Sequence, residues 1–118
     1  MAWLANMVTS FRHAGRGLRL AARDRNLRIM LLGGIAVVAL AGAYDVSTAS
    51  WAILLLCIGV VLVAEVINTA IERLADHVQP EHDSNIRDVK DLAPGAALVS
   101  CVAAAAVGAI VLWPYITR

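Results

Sequence analysis

Glu65, Asn68, Glu72 and Asp76 interrupt a long apolar stretch that reads Glu65-Val-Ile-Asn-Thr-Ala-Ile-Glu72 and continues through Arg73 to Asp76. Their spacings place all of them on one face of a helix. A carboxylate at membrane depth costs roughly 2.5 kcal/mol or more on insertion, so it faces protein or trapped water and marks a function. The chemistry open to Glu65 is general-base catalysis, because a carboxylate just under the interface meets a lipid headgroup hydroxyl while the acyl chains stay in the membrane. The plainer reading is that Glu65 and Asn68 only join helices through hydrogen bonds. Glu72, closer to water, is a candidate Mg2+ ligand, since a hard cation that bridges phosphate oxygens takes one or two carboxylates plus water. Asp24, the acid among the N-terminal arginines, is its expected partner, although an Asp there also suits an ordinary surface ion pair. Lys90-Asp91 offers a cation for phosphate charge and a further acid; as a plain pair flanking a membrane segment it would serve equally well.

The elements that must carry these residues are membrane helices. The chain has 118 residues, of which 60% are hydrophobic and 5% aromatic. With a mean hydropathy of +0.73 it holds more apolar material than a soluble core of this size needs. Apolar segments at Ile29 to Ala43, Trp51 to Ile71 and Leu92 to Trp113 give expected spans of about 29–47, 51–73 and 92–113, each near the ~20 residues a bilayer requires. If the second span starts near Trp51, a ~1.5 Å rise per residue puts Glu65 about 21 Å and Glu72 about 31 Å along it, against ~30 Å of hydrocarbon. Arginines at 12, 16, 19, 23, 25 and 28 precede the first span, and Arg73, Arg87 and Lys90 fall between the second and third. The positive-inside bias therefore predicts a multi-pass protein of the cytoplasmic (inner) membrane with its N-terminus and the 73–91 loop in the cytoplasm.

Residues 3 to 22 read as an amphipathic surface helix: Trp3, Met7, Phe11, Ala14, Leu18 and Ala21 recur at helical spacing, with Arg12, Arg16, Arg19 and Arg23 opposite. Gly15 and Gly17 weaken it locally. In the third span Ala93, Ala97, Cys101 and Ala105 repeat every four residues, which lets helices approach closely, and Pro94 is expected in its first turn. Tyr44, Trp51, Trp113 and Tyr115 sit at span ends as interfacial anchors. Cys57 and Cys101 are expected as small core residues, and His13, His77 and His82 as surface residues without metal-ligand spacing. The first thirty or so residues lack the order of a signal peptide, so the N-terminus is expected to be retained. A net charge of +1 gives no reason to expect nucleic-acid binding. No G-x-x-x-x-G-K-[ST] occurs, and Gly15-Arg-Gly17-Leu-Arg-Leu20 breaks G-x-G-x-x-G at its last position, so a nucleotide site must be built differently.

The motif Glu65-x-x-Asn68-Thr-Ala-Ile-Glu72, followed by Asp76, Pro80-Glu81-His82 and Val89-Lys90-Asp91-Leu92-Ala93, resembles the signature of prokaryotic diacylglycerol and undecaprenol kinases. Upstream, Phe11-Arg-His-Ala14-x-x-Gly17-Leu18 and Asp24-Arg-Asn26-Leu-Arg28 extend the resemblance over roughly residues 11 to 112. It implies an all-α membrane protein with a single domain over 1–118, a homotrimeric bundle of three-span subunits with composite sites, and direct in-line transfer of a phosphoryl group from ATP, with Mg2+, to a lipid hydroxyl. Residue by residue, it implies Glu65 as general base, Asn68 as its support, and Asp24 and Glu72 as metal ligands. It further implies Glu81, Lys90 and Asp91 on the nucleotide, with His82 and Asp83 on the adenine side, and Arg19 near the lipid headgroup. Asp24 stands where the family usually has Glu, and Met30 where it has an acid or His. Glu81-His82-Asp83 replaces the commoner Glu-Tyr-His or Glu-His-His, and Pro94 replaces a small residue. The stretches Arg-Asn-Leu-Arg and Asp-Leu-Ala-Pro-Gly-Ala lean toward undecaprenol kinases. From another class, a small proton-coupled multidrug-type transporter also uses a lone membrane Glu, but wants it near the midplane.

Overall fold

The computed structural model describes residues 1–81 and 83–118. Helices α1 (Ala2–Ala21), α2 (Arg25–Ala43), α3 (Thr48–Val78) and α4 (Ser84–Ile116) follow one another, with no strand among the described residues. The helix expected at 3–22 is therefore present, and Gly15 and Gly17 do not break it. Its Trp3, Phe11 and Leu18 stay exposed, an apolar stripe available to a bilayer surface. Helices α2, α3 and α4 are each long and apolar enough to cross a membrane.

Helix bounds differ from expectation for local reasons. The first span, expected over 29–47, starts at Arg25, because Asp24 is extended and its side chain accepts the Asn26 N–H at 3.3 Å as an N-cap. It ends at Ala43, where the chain turns through Asp45 at φ 50°, a left-handed conformation that Asp tolerates better than most residues. Ser47 then caps α3, its hydroxyl accepting the Ser50 N–H at 3.1 Å. Helix α3 runs on past its membrane span through Asp76, as the shared face of its acids requires, to Val78, and α4 starts at Ser84 rather than 92. Most of the expected 73–91 loop is thus helix.

Pro94 consequently lies about three turns inside α4, not in a first turn. With no N–H it leaves the Lys90 carbonyl without its usual partner four residues on.

Helix α3 is the hub. Its buried residues, Leu54, Glu65, Asn68 and Ala75, fall on one stripe of a helix that packs mainly against α4 and also against α2. Small residues permit the approach: a Cβ on Gly34 would stand 3.1 Å from Ile58 Cγ2, and Ala93 and Ala97 are buried. At the end remote from the acids, Ala41, Val46, Leu54 and Leu112 form a small cluster flanked by Trp51 and Tyr115. Tyr115 is more than an interfacial anchor: its hydroxyl accepts the Ser47 N–H at 3.1 Å and lies 3.1 Å from the Ser50 hydroxyl, which ties α4 to the start of α3.

Candidate functional site

Glu65 and Asn68 are 2% and 4% exposed, the buried polar side chains of a chain whose large apolar residues are mostly exposed. Three residues apart on α3, they share a face, and the Asn68 amide donates to Glu65 Oε1 at 3.5 Å. Asn68 Oδ1 is buried without a hydrogen-bond partner among the described residues. A buried acceptor left open costs about 1–3 kcal/mol, so it marks a place built to receive a donor or a cation.

Asp24 joins them from the turn between α1 and α2. Thr69, one turn along from Glu65, donates its hydroxyl to Asp24 Oδ2 at 3.2 Å and shares it with the Glu65 carbonyl at 3.1 Å. Burial pushes the Asp24 carboxyl up, but a polar contact with the Glu65 side chain and the hydrogen bonds accepted from the Asn26 N–H and the Thr69 hydroxyl outweigh it and hold the carboxyl below its ordinary value. Asp24 is therefore ionised at neutral pH. The N-cap of one membrane helix and the acid row of the next are thus parts of one cluster.

The remaining candidates sit farther out. Glu72 is exposed, about 10 Å along the helix from Glu65, because α2 begins only at Arg25 and does not reach far enough to cover it. Lys90 pairs with Asp76, tying α4 to the tail of α3, with the Lys90 side chain 39% and the Asp76 side chain 62% exposed. Asp91 and Glu81 are exposed, while Asp83 is half-buried at the N-cap of α4 without a side-chain capping bond. Arg19 is exposed in the last turn of α1. His82 lies outside the described residues. One chain thus brings together Asp24, Glu65, Asn68 and Thr69, and leaves Glu72, Glu81, Asp91 and Arg19 open to whatever else reaches them.

No group of three or more His, Cys, Asp or Glu side chains gathers as a metal site among the described residues. The donors present are nonetheless hard oxygens: the Asp24 carboxylate held by Thr69, the Glu72 carboxylate one turn farther along α3, and the open Asn68 amide oxygen. Mg2+ that arrives with a nucleotide keeps several waters and needs only one or two protein carboxylates, so the set fits it.

Two contributors escaped sequence reading. Thr69 was visible as the residue four after Glu65, yet its bond to Asp24 depends on how α1 turns into α2. Arg73 counted only toward charge asymmetry, yet it lines the groove between α1 and α3.

The model of the prokaryotic diacylglycerol kinase family matches residues 12–112. The chain belongs to the prokaryotic diacylglycerol kinase family. Members of this lipid kinase family with named activities include a diacylglycerol kinase from Synechocystis, 35% identical over 111 residues, and an undecaprenol kinase from Bacillus subtilis, 34% identical over 112 residues. The alignments cover 92% and 94% of this chain, and 63% and 91% of those relatives. The family match takes in every site residue named above, from Arg19 to Asp91.

Proposed function

We propose that this family member phosphorylates a membrane lipid hydroxyl, using ATP with Mg2+, at the cytoplasmic face of the inner membrane. The observation that carries the reading is the joining of Asp24 to buried Glu65 and Asn68 through Thr69, at the inner part of a helix apolar enough to cross a bilayer. Helix α3, at 31 residues and ~1.5 Å each, is about 46 Å long and outruns ~30 Å of hydrocarbon. With Thr48 at one interface, Glu65 lies just under the other, where a lipid alcohol and a water-soluble nucleotide can meet.

Glu65 takes the proton from the lipid hydroxyl as that oxygen attacks in line, and the Asn68 amide holds the carboxylate in place. Asp24 and Glu72 are the residues to hold Mg2+, which when bound neutralises phosphate charge. Glu81, His82, Asp83, Lys90 and Asp91 are the nucleotide side. Lys90 gives up an exposed pair with Asp76 to serve there, at a cost of about 1 kcal/mol or less. Arg19 stays at the headgroup level. A homotrimer suits a subunit only 20 Å deep along its shortest axis, about two helix diameters, whose Glu72 and Asp91 are exposed.

Purified chain assayed with radiolabelled ATP against diacylglycerol and undecaprenol tests this and separates the acceptors. Glu65→Gln should lower turnover at least about 100-fold while the oligomer stays intact. Retained turnover removes Glu65 from the role of base, and inertness of the natural chain toward both lipids removes the kinase reading.

A further inference from the structure

A groove of about 490 Å³ lies between α1 and α3, walled by Gly17, Leu20 and Ala21 on one side and Val66 and Thr69 on the other, with Arg73 at its end. Its position matters because Thr69 belongs to two places at once: it lines the groove and donates to Asp24. Whatever occupies the groove therefore touches the residue that orients the Asp24 carboxylate.

The lining is apolar except for Thr69 and Arg73, the latter the one charged residue along it among the described residues. Arg73 makes no ion pair among them; the pair formed nearby joins Lys90 to Asp76 instead. Arg73 stands one turn along α3 from Thr69 and lines the same groove, so its guanidinium is within reach of an anionic group at that end of the trough. An apolar trough that ends in an unpaired guanidinium matches an amphiphile with a hydrocarbon body and an anionic head. Arginine is also the side chain best shaped for phosphate, which its planar fork can bind through two parallel hydrogen bonds.

We propose that Arg73 holds the phosphate of the phosphorylated lipid, whose chain lies in the α1–α3 groove. This rests on the kinase reading and extends it to the product side of the same site. The acceptor is an uncharged alcohol and gains little from Arg73; transfer creates a phosphomonoester, and the cation then has its ligand. Arg73 thereby makes the chain sensitive to its own product. It also gives a lipid phosphate an advantage over the neutral lipids around it.

The test measures equilibrium binding of radiolabelled short-chain phosphatidic acid and of farnesyl phosphate to the full chain in phosphatidylcholine nanodiscs. The expected result is that at least one binds, that Arg73→Gln weakens it by about tenfold or more, and that Arg73→Lys recovers part of the loss. Gly17→Leu should weaken the same binding by filling the trough, and it should fold, since a Cβ there meets nothing within 4 Å. Inorganic phosphate should not compete, and the KM for ATP should change by less than about twofold in Arg73→Gln, since the lost contact is to lipid phosphate. Binding of neither lipid phosphate by the natural chain, equal binding by Arg73→Gln, effective competition by inorganic phosphate, or a KM for ATP that rises in step with the lost affinity would each overturn the inference. The kinase assay separates the two levels: an inert natural chain removes the kinase reading, whereas an active chain whose lipid-phosphate affinity ignores Arg73 removes only this proposal.

Discussion

Replacing Thr69 by Val deletes one hydroxyl and keeps the branched shape, and the structure allows the consequence to be worked through. That hydroxyl donates to Asp24 Oδ2 at 3.2 Å while sharing its proton with the Glu65 carbonyl at 3.1 Å. A hydrogen bond to a charged group contributes about 1.5–3 kcal/mol, but this one is long, shared and only part-buried, which argues for about 1–1.5 kcal/mol. At 1.36 kcal/mol per decade that is roughly a 5- to 12-fold effect. If Asp24 holds the metal, the loss should appear as a rise of about that size in the concentration of free Mg2+ needed for half-maximal turnover, with Thr69→Ser close to the natural chain. A pH effect accompanies it. Asp24 sits below its ordinary value, so its charged form is present above that value and is lost as pH falls through the lowered one. Without Thr69 the carboxyl titrates at higher pH, and the acid limb of the activity profile should move up. The assay is lipid phosphorylation by reconstituted protein, titrated with Mg2+ at fixed free ATP and repeated across the acid range. An unchanged Mg2+ requirement together with an unmoved acid limb would show that Thr69 does not orient Asp24 for metal.

Two further outcomes concern stability. Tyr115→Phe removes the bonds to Ser47 and Ser50 and should cost about 0.5–1.5 kcal/mol in an unfolding titration while leaving lipid phosphorylation unchanged, since the ring lies at the far end of α3 from Glu65. Pro94→Ala restores an N–H to the Lys90 carbonyl and should raise the thermal midpoint by the equivalent of about 1 kcal/mol; a lower midpoint would mean that the packing of α4 depends on the proline ring.

The helices were legible wherever hydropathy marks them, and less so where a membrane helix runs on into water. The face shared by Glu65 and Asp76 already carried α3 past its membrane span, but residues 84–91 are polar enough to read as loop and yet extend α4, whose tail is tied to that of α3 through the Asp76–Lys90 pair. Periodicity on α3 picked out Glu65 and Asn68, because a polar residue inside an apolar run is conspicuous and its burial follows from the face it shares. It could not tell their environment from that of Glu72, although the spacing is as regular, since exposure of Glu72 depends on where α2 begins. The bond from Thr69 to Asp24 crosses 45 residues of sequence. No local pattern encodes that meeting, which is made by the turn at residues 22–24 as α1 gives way to α2.

That turn explains how a single short residue can tie two levels of the molecule together. Asp24 is at once the N-cap that starts α2 and a carboxylate of the site, through different oxygens: Oδ1 accepts the Asn26 N–H and Oδ2 the Thr69 hydroxyl. An N-cap favours Asp because its short side chain folds back onto the first helical turn, a geometry that Glu, one methylene longer, holds less readily. A Glu at this place would reach farther and cap less; here the cap fixes the carboxylate. Asp24→Glu should therefore separate the two duties. The longer acid keeps a metal ligand at the site but loses the cap, so it should destabilise the chain by about 0.5–2 kcal/mol while lipid phosphorylation persists. Loss of activity with stability unchanged would mean that the reach of Asp24, and not its role as cap, is what the site requires.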